Sequence, residues 1–298
     1  MRDTSGRPAS SSEVDAADAL RGLLIPGTPL LLRGVDPGEP EAMTAFRSAV
    51  HTALRRAPVW TVLLPPHEPP SSAGGSASAG TGSAAAEEPL LPGVLSLGGL
   101  GVPRGVVVPC VPGAAAELSP ADVRGGEELA SAVASLRRQA PDSAQRSARV
   151  HIGFTVAALC ALEAGVSVRL QRASAPPSAP LLVPLDFSGA ADPDAPLAPR
   201  EGAAAFDAAL EEALTGAVDR EALSCLDAGP AAAWTDGVVA ALGASGDPSR
   251  LRGTVRAATD CHRVRYRLIG LEASRARPAS PLPPASGEDR VAATGAAR

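Results

Sequence analysis

The strongest constraint on the fold is a buried strand, an amphipathic helix and a second buried strand in succession near the N-terminus. Leu23-Leu24-Ile25 and Leu30-Leu31-Leu32 flank Pro26-Gly27-Thr28-Pro29, which reads as an apolar strand broken by a tight turn. Pro37 and Pro40 then open a helix whose apolar face is Met43, Phe46, Val50 and Leu54, at steps of three and four. Residues 59–64 form a second apolar run, closed by Pro65-Pro66. An antiparallel strand with one wet face would alternate apolar and polar residues, and these two do not. They are expected as a parallel pair covered on both sides. The fold class that follows is α/β: a single domain with a mixed, mostly parallel sheet and helices on both faces.

The remaining pattern fits that class. Residues 106–108 are a third strand, 127–138 an amphipathic helix on Leu129, Val133 and Leu136, and 152–163 an apolar helix closed by Gly165. Residues 166–170 and 181–185 are strands. Three short helices follow, one carrying Phe206, Leu210 and Leu214 before Gly216, one Leu223 and Leu226, and one opening at Pro230 with Trp234, Val238 and Leu242. Trp234, a rare large side chain, is expected as a core anchor. Residues 255–258 and 264–271 close the fold as an antiparallel pair. In the last strand Arg263, Arg265 and Arg267 alternate with Val264, Tyr266 and Leu268, a charged face expected to guard an exposed sheet edge rather than to form an anion site. Residues 69–90 are a low-complexity insert, and their Gly/Ser/Ala stretch 71–86 buries too little to offset its ordering entropy. Residues 1–20 and 273–298 read as disordered tails, which leaves 21–272 as the domain.

Charge and composition exclude some functions. All 27 basic residues are Arg, and the chain has neither Lys nor Asn, the bias of a GC-rich bacterial genome. Arginine content therefore says little about phosphate recognition, and a net charge of −5 argues against nucleic acid as a partner. No stretch reaches the roughly 18 apolar residues of a membrane span, and 1–20 has no apolar signal region, so no membrane partner and a cytoplasmic location are expected. Cys110, Cys160, Cys225 and Cys261 form no C-x-x-C pair and are expected as reduced structural thiols. With 2% aromatic residues, the core must be Leu, Val and Ala.

Four histidines are the first place to look for chemistry. His51, one position after the core-facing Val50, is expected on the surface. His67 follows the end of a buried strand, where open α/β sheets place their ligand crevice. His151 begins the apolar helix, and His262 follows Asp260 and Cys261 at a turn. Two of these with Asp186 or Glu68 could make the two-histidine, one-carboxylate triad of non-haem iron. Other constellations fail: Gly99-Leu100-Gly101 lacks the third glycine of a dinucleotide fingerprint, and there is no phosphate loop, nucleophile elbow or H-E-x-x-H. Glu87-Glu88 and Glu211-Glu212 read as solvated carboxylates.

Three segments together resemble the class III extradiol ring-cleavage dioxygenases of the B-subunit type. Leu24-Ile25-Pro26-Gly27-Thr28-Pro29-Leu30-Leu31 is similar to the family's first strand and turn, with Pro26 and Gly27 where an iron-binding His is usual. Ala57-Pro58-Val59-Trp60-Thr61-Val62-Leu63-Leu64-Pro65-Pro66-His67 is similar to the strand that ends in the second iron-binding His, represented by His67. Leu181-Leu182-Val183-Pro184-Leu185-Asp186-Phe187-Ser188-Gly189 is similar to the strand ending in D-L-S-H, with Gly189 in place of the His that acts as acid/base. His151-Ile152-Gly153 approximates the family's His-Gly pair, displaced by one residue. Phe206-Asp207-Ala208-Ala209-Leu210, Ala222-Leu223-Ser224-Cys225-Leu226-Asp227 and Ala232-Ala233-Trp234 resemble, in order, helices of an uncharacterised, ligand-poor branch of high-GC bacteria. The resemblance implies a degenerate dioxygenase-like protein without iron or another cofactor. It would serve as an interaction or small-molecule-binding protein for a protein partner or a small aromatic ligand. The alternative it leaves open is an active Fe(II) enzyme with a rearranged site, using His67 with His151 or His262 and with Asp186 or Glu68. No catalytic residue is assigned on either reading.

Overall fold

The computed structural model describes residues 20–36, 38, 40–64, 93–108, 115–139, 152–172, 177–229, 235–244 and 250–274. Along the chain the strands are β1 (Leu20–Pro26), β2 (Val59–Leu64), β3 (Val94–Ser96), β4 (Arg104–Val107), β5 (Ala115–Leu118), β6 (Val123–Gly125), β7 (Ser167–Arg172), β8 (Leu181–Leu185), β9 (Gly216–Ala217), β10 (Leu251–Cys261) and β11 (Val264–Ala273). The helices are α1 (Glu41–Leu54), α2 (Gly126–Gln139), α3 (Ile152–Glu163), α4 (Ala203–Leu214), α5 (Arg220–Cys225) and α6 (Asp236–Ala244).

Eight strands form one mixed sheet in the order β5-β7-β2-β8-β1-β11-β10-β9. Its centre, β7-β2-β8-β1, is parallel, and antiparallel strands flank it on both sides. The α/β class and the two covered faces are as the apolar runs imply. β1 and β2 are parallel but not neighbours, because β8 lies between them. Side chains alternate as the pleat requires. Leu23, Ile25, Val62 and Leu182 face α1 and α3, whereas Leu24, Leu63, Leu181 and Val183 face α4, α5 and α6. α3 is buried almost all round, with Phe154 to Leu162 inside, which explains its lack of a polar stripe.

Residues 106–108 do not join this sheet. β4 is the middle strand of a separate antiparallel sheet, β3-β4-β6, against which α2 rests. β10 and β11 form the expected antiparallel hairpin, longer than the apolar residues alone suggest. Gly253 in β10 is required by close approach, since a Cβ there would meet the Leu214 carbonyl oxygen at 1.7 Å.

Several expectations change. β11 is an interior strand between β1 and β10, so its arginines guard no edge. Arg267, 12% exposed, pairs with Glu211 at 2.9 Å and with Asp260 at 2.9 Å, and Arg265 pairs with Glu211 at 3.5 Å. Glu211 is therefore a partner to that face rather than a solvated carboxylate. His51 is 2% exposed rather than on the surface. The helix buries a second flank beside the Met43-Phe46-Val50 stripe, in which Arg47 donates to the carbonyls of Leu31 at 2.8 Å and Leu30 at 3.0 Å. His51 follows Arg47 by one turn on that flank. Cys160 and Cys261 are buried free thiols, whereas Cys225 is free but exposed rather than structural. The expectations for 1–19, the 69–90 insert, Cys110, the helix opening at Pro230 with Trp234, and 275–298 lie outside the described residues.

Candidate functional site

The C-terminal ends of β1, β8 and β2 lie side by side, and the β10–β11 turn comes to the same edge of the sheet because β11 runs antiparallel to β1. Chemistry in an open α/β sheet belongs at this edge, where strands stop and side chains and backbone amides are turned outward. Two of the five residues singled out from the sequence are described here, Asp186 and His262. His67, Glu68 and His151 lie outside the described residues.

Asp186 leaves the end of β8 half-buried, and its Oδ1 accepts the Gly27 N–H at 3.0 Å. The bond joins residues 159 apart in sequence. A Cβ on Gly27 would stand 2.8 Å from Asp186 Oδ2 and 2.9 Å from the Gly153 Cα. The backbone at 27 is thus pinned between the carboxylate and the start of α3. Beside it, the only tyrosine of the chain, Tyr266, is hydrogen-bonded to the Thr28 side chain. Burial, with Cys261 and Asp186 adding to it, pushes the Tyr266 phenol up to about 12, so it is a neutral group at this edge. Sequence reading misses Tyr266 and Thr28; the single occurrence of Tyr is the signal that could have found the first.

The segment after Asp186 is held by its own turn chemistry. The buried Ser188 donates its N–H to Asp207 Oδ1 on α4 at 2.7 Å, and its hydroxyl accepts the Ala190 N–H at 3.0 Å. Burial raises the Asp207 carboxyl above its ordinary value, against the opposing pull of the Ser188 amide and of Arg265 and Arg267. A Cβ on Gly189 would meet Leu197 side-chain carbons at 3.3 Å, so this position packs against the following loop. Asp186 and Ser188 thus both accept backbone amides, and Ser188 is held in turn by Asp207.

His262 adopts a left-handed conformation, φ 50°, in the β10–β11 turn, about half exposed, with Nε2 3.4 Å from Asp36 Oδ2. It is brought to the same edge as Asp186, with a carboxylate partner of its own on the segment before α1.

These positions do not fit the iron of the resemblance. At residue 27 there is neither a ligating side chain nor space for one, and Asp186 Oδ1 accepts the amide of that residue. Gly189 offers no base. Among the described residues, no group of three or more His, Cys, Asp or Glu is arranged to hold a metal ion. Among the described residues the edge offers the Asp186 carboxylate, a neutral phenol, a threonine hydroxyl and an imidazole–carboxylate pair. Such groups hydrogen-bond a polar ligand or a partner's backbone. Among the described residues, no helix is long and apolar enough to cross a membrane. No protein-family model, no curated protein and no solved structure matches this chain.

Proposed function

We propose that this chain is a relative of the class III extradiol dioxygenases of the B-subunit type that has given up ring cleavage and works as a small-molecule-binding or interaction protein without iron. Two points support the kinship. The three segments that carry the resemblance contain β1, β2 and β8, which run parallel in the sheet centre and end at one edge. The Asp and Ser of the D-x-S segment stand at the end of β8. The loss of chemistry rests on a single observation: the Gly27 N–H bonds Asp186 in a space that a Cβ would overfill. Ring cleavage needs a metal with several ligands in fixed geometry and open positions for catecholate and dioxygen. In support of that reading, residue 27 has no side chain and no room for one, and Asp186 Oδ1 holds its amide.

The test is oxygen uptake with a panel of catechols after anaerobic loading with Fe(II), alongside thermal shifts with the same catechols and no metal. No uptake is expected. A metal-independent thermal shift supports a small aromatic ligand, and its absence leaves the protein-partner form of the reading. Uptake that requires Fe(II) and disappears in His67→Ala would overturn the proposal in favour of a rearranged iron site.

A further inference from the structure

The second surface with directional information lies away from this edge, on α2. A groove of about 480 Å³ runs between α2 and the turn after β3, and six of its lining residues belong to the helix: Gly126, Leu129, Ala130, Val133, Ala134 and Arg137. Their spacing is three, one, three, one, three, the seam with which one helix packs along another. Only Leu129 of this seam is buried; Ala130, Ala134 and Arg137 are exposed. Leu100, 57% exposed, stands on the turn that forms the opposite wall.

We propose that a second copy of this chain fills the groove, its α2 lying antiparallel to the first about a two-fold axis. The seam is self-complementary about the point between Ser131 and Ala132, as an isologous contact requires. Reversed on itself, it sets Gly126 against Arg137 and Ala130 against Val133, with Ala134 over the other copy's Leu129, which its own sheet already covers. Charge follows the same symmetry. The first turn of α2 carries Glu127 and Glu128, the latter paired with Arg124 at 3.0 Å, and the last carries Arg137 and Arg138, so antiparallel pairing brings each Glu127 beside the other copy's basic end. The helix macrodipoles are then opposed as well. The two-fold symmetry of the seam favours a second copy over a foreign helix. A helix of this length is about 21 Å long and on its own covers less than the roughly 800 Å² per partner of a standard interface, so association in the micromolar range is expected. This inference is independent of the ligand-site reading.

Sedimentation velocity of the full chain from about 1 to about 200 µM tests it. A concentration-dependent dimer is expected. Ala134→Arg, at a position exposed in the single chain but opposite Leu129 in the pair, should leave a monomer with an unchanged melting temperature at low concentration. Arg137→Glu should weaken the dimer at least about tenfold, and adding Glu127→Arg to it should restore association. A chain that stays monomeric throughout overturns the proposal, whether another protein or another segment of the same chain takes the groove; in the latter case Ala134→Arg lowers the melting temperature. A dimer indifferent to Ala134→Arg overturns it equally.

Discussion

Gly27 is more tightly confined at the sheet edge than Gly189. Its hydrogen lies where a Cβ would press on a carboxylate oxygen at 2.8 Å and on the Gly153 backbone at 2.9 Å, both under ordinary contact distance. Gly27→Ala must therefore displace Asp186 or the start of α3, and should cost about 1–3 kcal/mol in denaturant unfolding. A neutral result would mean that Asp186 swings away freely and that residue 27 has room for a side chain. His51 gives a second residue-level test. Burial first, then Arg33, Arg55 and Arg47, lower its pKa from 6.5 to about 4, and its Nε2 has no hydrogen-bond partner among the described residues. A base depressed in the folded state binds fewer protons there than in the unfolded chain. Its contribution is complete above pH 6.5 and is lost as pH falls towards 4, a loss of roughly 3 kcal/mol. His51→Leu should flatten unfolding free energy against pH across that window. The difference between the two curves isolates His51 from Asp207, whose raised pKa tilts stability the other way. Identical curves would show that His51 reaches water.

Among the elements, strands and helices are legible in the sequence wherever apolar residues set the period. α1 and α4 begin and end close to where Met43-Phe46-Val50-Leu54 and Phe206-Leu210-Leu214 place them. What the pattern conceals is pairing between distant elements. The alternating arginines of β11 read as an edge because their partner, Glu211, stands on α4, 56 residues before Arg267. Local spacing cannot reveal a ladder of that range. His51 escapes the pattern for a related reason: periodicity implies a single apolar stripe, and this helix is covered on two flanks. The Arg267 network is itself testable. Arg267→Ala takes from the partly buried Glu211 the nearer of its two arginines and from Asp260 its cation, and should cost about 1–2 kcal/mol. The loss should resist added salt, since screening acts weakly on partly buried pairs. A cost under about 0.5 kcal/mol would return the network to the class of exposed surface pairs.

At the scale of the whole molecule, the parallel centre of the sheet gathers the ends of β1, β8 and β2 at one edge, and β11 returns the β10–β11 turn to it. The sequence points to Asp186 and His262 for this edge but cannot show what each has already bound. Gly27 stands out there only as a missing ligand, whereas in the fold it is a donor to the carboxylate. Residues 27 and 189, where the resemblance implies histidines, are both glycines packed against neighbours. The most direct measurement is the metal content of untagged protein, by elemental mass spectrometry after anaerobic incubation with excess Fe(II) and desalting. Far less than one iron per chain is expected, with the same value for His67→Ala and Asp186→Asn. Iron near one per chain in the native protein, lost in either variant, would contradict the iron-free reading.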